Sequence, residues 1–137
     1  MGKPIIGITT NTMMVETGSL AGLERYFASH DYVKSVLKAG GVPVLLPDVG
    51  DEQDIKAHVK AVDGIVFSGG TDVDPLLFQE EPVEKMGPML PARDHYEIAL
   101  AQQQPALLLE ASGFPPFLPI CQFALLVDLL RDWQSTV

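Results

Sequence analysis

The chain has 137 residues, 47% of them hydrophobic and 20% charged, which fits one globular domain with its own core and excludes a disordered chain. Eighteen acidic residues against nine basic ones give a net charge of −9, which argues against nucleic acid or an anionic membrane surface as the main partner. No apolar run approaches the ~20 residues of a membrane helix, and a single cysteine excludes an internal disulfide and a thiolate zinc site. We therefore predict a cytoplasmic protein without a metal or cofactor.

The first third of the chain predicts a strand, a loop and a helix. Residues 4–10 are apolar on both sides, as in a strand that is covered on both faces. Residues 11–23 carry glycine, threonine and methionine without a clean period, which predicts a loop. Residues 26–39 predict the first helix, because apolar side chains recur at helical spacing and Gly40 and Gly41 follow as a stop signal.

The middle third repeats this alternation. Residues 42–46 predict a second buried strand, and residues 65–67 predict a third. Between them, residues 51–62 predict a helix whose apolar face carries Ile55, Val59 and Val62. The order β-α-β-α-β, with connections of this length, predicts right-handed crossovers and a parallel sheet.

A glycine pair follows the third strand, where the chain leaves the sheet. Paired glycines such as Gly69 and Gly70 can take positive φ and let a ligand come close to bare backbone N–H groups. In an open α/β sheet, ligands bind beyond the carboxyl ends of the strands, and this turn lies at such an end. The alternative interpretation is an ordinary turn between a strand and a loop.

Beyond this turn, residues 76–91 are rich in proline and predict a long surface loop. A helix then runs to about residue 103, with Asp94 as its N-cap and Glu97 as the partner in a capping-box-like pair. Arg93 is interpreted as part of the same helix start, where it forms one ion pair.

After residue 102 the sequence has proline-rich and all-apolar segments instead of periodic ones. Prolines interrupt residues 115–121, which argues against a central strand there. Residues 123–130 are apolar on nearly every face of a helix, and such a helix needs cover on all sides. If the fold is truncated, its sheet has an open edge and residues 125–130 lack cover. We therefore predict self-association, as a homo-oligomer, or aggregation through these surfaces.

Five stretches of the sequence together resemble one known family. In that family's order and spacing they are KPIIGIT at 3–9, DYV at 31–33, AGGVPVLLP at 39–47, DGIVFSGGTDVDP at 63–75 and RDHYE at 93–97. The chain resembles the class I glutamine amidotransferase-like γ-glutamyl-γ-aminobutyrate hydrolases, peptidase family C26, strongly over residues 3–101 and weakly over residues 102–137. We interpret residues 1–137 as a single partial domain, equivalent to the N-terminal half of a family member and truncated or altered at its end.

This resemblance implies a flavodoxin-like α/β fold, with a mostly parallel sheet flanked by helices, and hydrolysis of a γ-glutamyl amide in a small-molecule substrate. The family uses a cysteine nucleophile on a strand-to-helix elbow, which corresponds here to Cys121. It takes one oxyanion donor from the glycine pair, here Gly69 and Gly70, and the N–H of Gly70 is the favoured donor. Asp72 would face an amino group of the substrate, and turn formation before Pro75 explains it nearly as well.

The sequence departs from the family pattern around Cys121. Phe123 stands where the family has the glycine of the tight turn, and the family's later histidine and glutamate have no counterpart after Cys121. The three histidines, which we predict to be solvated or capping residues, are His30, His58 and His95. Two interpretations of Cys121 stay open, a nucleophile or an inert buried thiol. The chain is accordingly a hydrolase of impaired activity or a non-catalytic module that binds a small molecule or a partner, and the absence of a G-x-G-x-x-G or P-loop motif makes a nucleotide binder the weaker alternative.

Overall fold

The structure, a computed structural model, describes residues 2–71, 74–78 and 89–103. Five strands and three helices lie within these ranges. The strands are β1 (Ile5–Thr9), β2 (Asn11–Met14), β3 (Glu24–Phe27), β4 (Val42–Leu46) and β5 (Gly64–Val66). The helices are α1 (His30–Lys38), α2 (Glu52–Ala61) and α3 (Pro91–Gln103), and a short 3₁₀ helix spans Pro75–Phe78.

Three of the strands form a parallel sheet in the order β4-β1-β5. In the central strand, Ile8 lies opposite Leu45 on one side and Val66 on the other. The predicted parallel sheet is therefore confirmed, with its third strand shifted so that it begins at Gly64 and ends before Phe67. The first strand of this sheet in chain order, β1, lies at its centre, with the next strand, β4, on one side and the last strand, β5, on the other. This is the arrangement of a flavodoxin-like α/β fold.

The two faces of this sheet bury different helices, because successive residues of β1 point to opposite sides. Ile6 and Ile8 pack against α1 through Tyr32 and Val36. On the other face lie α2 and α3, whose buried side chains form one cluster with the end of β4: Leu46, Ile55, Val59, Val62, Tyr96 and Leu100. Gly7 faces this second cluster, and a Cβ atom there would lie 2.5 Å from Leu46 Cδ1, so the close approach requires glycine.

Helix α2 matches its prediction closely. Asp51 caps its N-terminus, since its carboxylate accepts hydrogen bonds from the N–H groups of Gln53 at 2.8 Å and Asp54 at 3.4 Å. The three apolar residues predicted to share one face are all buried, namely Ile55, Val59 and Val62.

The region between β1 and α1 differs from the prediction. The predicted loop over residues 11–23 is wrong, because Asn11–Met14 pairs antiparallel with Glu24–Phe27 to form a hairpin. The predicted start of the first helix at residue 26 is wrong for the same reason. Helix α1 begins at His30, after Ser29, whose hydroxyl accepts from the Asp31 N–H at 3.4 Å. The hairpin had no alternating hydrophobic pattern to reveal it, since its strand residues from position 13 onward are exposed.

The start of α3 also differs from the prediction. The helix begins at Pro91, so Asp94 lies inside it and is not its N-cap. Its buried carboxylate accepts a hydrogen bond from the backbone N–H of Asp74 at 3.0 Å and so holds the chain that follows the glycine pair. Glu97 makes no capping box, because its carboxylate bonds to Arg93 and Thr9.

Several predictions concern residues outside the described ranges. They are those on Asp72, on most of the loop 76–91, on Cys121 and its elbow, and on the apolar segment 125–130. None of the helices within the described ranges combines the length and hydropathy needed to cross a membrane.

Candidate active site

The candidate site lies where the carboxyl ends of β1 and β5 meet. In a sheet with this strand order, the connections leave in opposite directions from β1, which opens a crevice between these two ends. Thr9 is the last residue of β1 and Asn11 is the first residue of β2, and the segment 68–70, here called the glycine turn, follows β5. The structure therefore brings together two stretches of sequence almost sixty residues apart.

The glycine pair is explained by space rather than by backbone conformation. The conformational freedom that the sequence offers at Gly69 and Gly70 is not used, because the glycines with positive φ within the described ranges are Gly18, Gly22 and Gly40. A Cβ atom on Gly70 would instead collide with Asn11 Oδ1 and lie 2.5 Å from Arg93 Nη1. Glycine is required at position 70 because buried side chains approach its backbone so closely.

Both backbone polar groups of Ser68 are bound by side chains. Its N–H donates to Thr9 Oγ1 at 2.9 Å, and its carbonyl oxygen accepts from Arg93 Nη2 at 2.5 Å. Ser68 is itself buried, so these bonds replace the water that its backbone would otherwise need. The first residue of the glycine turn is thus held from β1 and from α3.

The backbone of Gly69 is held in the same way from two other side chains. Its N–H donates to Tyr32 Oη at 2.7 Å, and its carbonyl oxygen accepts from Asn11 Nδ2 at 3.0 Å. The next donor along the chain is the N–H of Gly70. No acceptor for this N–H lies among the residues that the structure describes. Of the two predicted donors, Gly69 is therefore already occupied and Gly70 is open.

Arg93 is the centre of this arrangement and is only 5% exposed. Besides the Ser68 carbonyl, its Nη1 donates to Asn11 Oδ1 at 2.8 Å, and its Nε donates to Glu97 Oε1 at 3.0 Å. The predicted ion pair is confirmed, with Arg93 Nη2 2.8 Å from Glu97 Oε1. The four-residue spacing places both side chains on one face of α3, so that the helix presents a preassembled pair to the turn.

Glu97 completes the network from the carboxylate side. Thr9 Oγ1 donates to Glu97 Oε1 at 2.7 Å while it accepts from Ser68, so one hydroxyl links the helix to the turn. Burial raises the pKa of Glu97, and the Thr9 hydroxyl and the Arg93 guanidinium oppose that rise. The carboxylate thus lies in a low-dielectric environment, where the Arg93 guanidinium and the Thr9 hydroxyl bind it, and it helps to fix the positions of both groups.

The histidines of the described part do not reach the glycine turn. His30 and His95 are exposed on α1 and α3, as predicted. His58 corrects the prediction, because it is half-buried and its Nδ1 lies 2.7 Å from Tyr96 Oη. Burial, with the nearby carboxylates of Asp48 and Glu97, raises the pKa of Tyr96, so its phenol keeps its proton. This pair joins α2 to α3 and so braces the helix that carries Arg93.

Three residues of the site were missed by sequence reasoning, namely Thr9, Asn11 and Tyr32. The signal was present in part, since Thr9 and Asn11 stand at the carboxyl end of a predicted strand and Tyr32 lies in a stretch that carried the family resemblance. Cys121 and Asp72, the other predicted site residues, lie outside the described ranges. Within those ranges, no three histidine, cysteine, aspartate or glutamate residues gather as metal ligands would.

The parallel sheet in the order β4-β1-β5, flanked by helices, defines an α/β protein of the flavodoxin-like class. Comparison with known proteins identifies the family, because the sequence model for Peptidase C26 matches residues 4–122. The chain belongs to this family. The matched range includes Cys121 near its end.

Curated relatives agree with this assignment. The chain is 30% identical over 100 residues to Protein NtpR of Enterococcus hirae, covering 73% of the chain and 41% of that protein. It is 31% identical over 99 residues to a Mycobacterium tuberculosis protein named "Putative glutamine amidotransferase Rv2859c", covering 72% of the chain and 32% of that protein. A Lactococcus lactis subsp. lactis protein, "Putative glutamine amidotransferase-like protein YvdE", is 32% identical over 118 residues, which are 86% of the chain and 46% of that protein. The chain thus spans between 32% and 46% of the length of these relatives.

Proposed function

We propose that this chain carries the oxyanion-binding side of a site for γ-glutamyl amides. In this proposal the N–H of Gly70 is the donor to the amide carbonyl oxygen, and the thiol of Cys121 is the nucleophile. One observation carries it: all the backbone polar groups of Ser68 and Gly69 are bound by buried side chains, whereas the N–H of Gly70 has no acceptor among the described residues. A donor that is fixed in place and unoccupied is what stabilisation of a developing oxyanion requires.

The reaction follows from ordinary acyl-transfer chemistry. The thiolate attacks the γ-carbonyl carbon, the C=O π electrons move to oxygen, and the Gly70 N–H binds the resulting oxyanion. When the C–N bond breaks, the amine leaves with a proton and a γ-glutamyl thioester remains. Water then attacks the thioester, which releases glutamate and regenerates the thiol. Each step needs a base that can hold or return a proton.

The substrate class follows from the family and from charge. A γ-glutamyl compound presents a carbonyl for the Gly70 donor and an ammonium group, and we propose that Asp72 binds the latter. The two relatives named as glutamine amidotransferases or as similar to them agree with this class. A free thiol suits a reducing compartment, so we also propose a cytoplasmic location.

One observation favours the second interpretation, a site that binds but turns over slowly. No hydrogen bond within the described ranges joins a histidine to the glycine turn, and His58 is engaged with Tyr96. Without a base, a cysteine keeps a pKa near 8.5 and is a weak nucleophile at neutral pH. For a protein of this sequence we therefore expect binding and slow acylation rather than rapid hydrolysis.

The test uses γ-glutamyl p-nitroanilide and the purified protein. Release of p-nitroaniline measures acylation, and mass spectrometry of the intact protein and its peptides locates the adduct on Cys121. The α-glutamyl isomer of the anilide and the Cys121→Ala variant are the matched controls. We expect a Cys121 adduct with the γ-isomer alone.

The remaining outcomes separate the two interpretations. If L-glutamine shifts the Gly70 amide resonance in a ¹H–¹⁵N spectrum while no adduct forms, the non-catalytic binding site is supported. If neither an adduct nor a shift at Gly70 is seen, the proposed function is wrong.

A further inference from the structure

We propose that Asn11 is a positioning residue that aims the N–H of Gly70 into the site. This inference rests on the proposed function for its chemical consequence, but its geometric part can be tested independently. Asn11 is 8% exposed and lies at the start of β2, directly beyond the carboxyl end of β1. The sequence signal for it was its place at the carboxyl end of a predicted strand, which it shares with its neighbours.

The argument begins with the planarity of the peptide bond. The carbonyl of Gly69 and the N–H of Gly70 belong to one trans peptide unit, so the two groups point in opposite directions. Asn11 Nδ2 donates to the Gly69 carbonyl oxygen at 3.0 Å. By fixing the carbonyl at one end of the unit, Asn11 also fixes the direction of the N–H at the other end, which points away from it.

The neighbouring peptide unit shows why this one is different. The unit that joins Ser68 to Gly69 is bound at both ends, since Arg93 donates to its carbonyl and its N–H donates to Tyr32 Oη. The unit that joins Gly69 to Gly70 is bound at its carbonyl end, and its N–H end is open among the described residues. A peptide unit whose carbonyl is bound and whose N–H is open has the arrangement of a preorganised hydrogen-bond donor.

Arg93 fixes the orientation of Asn11 itself. A guanidinium carries donors only, so the amide atom that faces Arg93 Nη1 at 2.8 Å is the oxygen. The NH₂ group is therefore turned toward the Gly69 carbonyl. Glycine at position 70 leaves the room for this, because a Cβ there would collide with the amide of Asn11.

The first experiment measures the direction of the N–H bond. Residual dipolar couplings of the backbone amides are compared between the wild type and Asn11→Asp, which still pairs with Arg93 but cannot donate to the Gly69 carbonyl. Glycine residues rotate easily, so this peptide unit is free to turn once it is released. We expect the coupling of Gly70 to change while the couplings of β1 and α2 stay the same.

Three further variants complete this experiment. Thr10→Val is the matched control, because it removes a buried hydroxyl that donates to the Leu46 carbonyl at 3.1 Å beside Asn11 but not to the turn. Tyr32→Phe releases the other peptide unit, so the coupling of Gly69 should change while that of Gly70 is kept. Asn11→Ala replaces Asn11→Asp if the latter does not fold. An unchanged Gly70 coupling in a folded Asn11 variant overturns the proposal.

The second experiment measures the chemical consequence at Cys121. Acylation by γ-glutamyl p-nitroanilide passes through an oxyanion, whereas alkylation by iodoacetamide does not. We expect Asn11→Asp to slow acylation on the order of 10²-fold, as the loss of an oxyanion donor does, and to leave alkylation unchanged. Thr10→Val should leave both rates unchanged.

The two experiments distinguish this inference from the proposed function. If the wild type is not acylated but the Gly70 coupling changes in Asn11→Asp, the proposed function is wrong and the positioning of the N–H by Asn11 stands. If acylation and alkylation slow by the same factor in Asn11→Asp, the residue acts through general stability, and its positioning role is refuted.

Discussion

The glycine turn and the hairpin that follows β1 are two neighbouring regions held by different means. The turn has its backbone bound by the side chains of residues from four other elements, all of them buried. The hairpin has its backbone bound to itself, and most of its side chains, including Met13, Met14 and Tyr26, are exposed. The turn therefore depends on particular side chains, whereas the hairpin depends on backbone pairing that many sequences can supply.

Asn11 belongs to both regions. Its backbone pairs with Phe27 in the first register position of the hairpin, while its side chain holds the Gly69 carbonyl. The hairpin thus places the side chain that the turn needs. We infer that the first pair of the hairpin is constrained by the site, and that its later pairs are not.

The largest effect should come from Arg93→Met. This change removes the cation from a buried pair. The Ser68 carbonyl then has no side-chain donor, and the buried carboxylate of Glu97 keeps the Thr9 hydroxyl but loses its counter-charge. Breaking a buried pair in this way costs about 3–5 kcal/mol, measured as the free energy of unfolding in urea at neutral pH. The matched control is Arg25→Met on the exposed strand β3, which should change it by less than about 0.5 kcal/mol. If Arg93→Met and Arg25→Met lower the free energy of unfolding equally, the turn does not depend on its side chains more than the hairpin does.

The next largest effect should come from Gly70→Ala. The added methyl group would meet the amide of Asn11 and the guanidinium of Arg93, so either the turn or the network must move. Overpacking of this kind costs about 1–3 kcal/mol. Gly50→Ala is the control, because it lies in open space and its φ is not positive. A thermal unfolding series that finds both variants as stable as the wild type would show that the turn is not tightly packed.

Glu97→Gln should reveal a dependence of stability on pH. Because burial raises the pKa of Glu97 in the folded protein, the folded state binds this proton more tightly than the unfolded state does. The contribution of Glu97 to the free energy of unfolding is therefore largest below the ordinary pKa of a glutamate. It falls as the pH rises to the pKa that Glu97 has in the folded protein, and above that pH the contribution is constant. Glutamine cannot titrate, so the stability of the wild type relative to Glu97→Gln should fall over this range.

Urea unfolding of both proteins between about pH 4 and pH 8 measures this difference, since that range brackets the ordinary pKa of a glutamate. The exposed Glu52, which pairs with Lys56 on the surface of α2, provides the control variant Glu52→Gln. A difference between wild type and Glu97→Gln that rises with pH would mean that the pairing with Arg93 outweighs burial.

The sequence predicted the parts of the fold in which burial leaves a pattern. Strand β1 is an apolar run and helix α2 an apolar stripe because they face the cores, and their bounds agree closely with the structure. Strand β4 has its predicted bounds, but its predicted burial is wrong, since Leu46 is buried whereas Val42 and Leu45 are exposed. The hairpin was missed because side chains exposed on both faces leave no period. For the site, the glycine pair was found, but not the close packing that requires it. The bond from Asn11 to Gly69 spans 58 residues, and no local pattern in one sequence shows which distant side chain a turn requires.

The smallest effect should come from Met14→Ser at the end of β2. Met14 is 54% exposed, and its pairing partner in the hairpin is the exposed Glu24, so a serine loses little buried surface and keeps the backbone pairing. We expect the free energy of unfolding to change by less than about 0.5 kcal/mol. The control is Ile8→Val in β1, where a fully buried methyl group is lost at a cost of about 0.5–1.5 kcal/mol. If Met14→Ser costs as much as Ile8→Val, the end of the hairpin packs against another surface, and the inference that its later pairs are unconstrained is wrong.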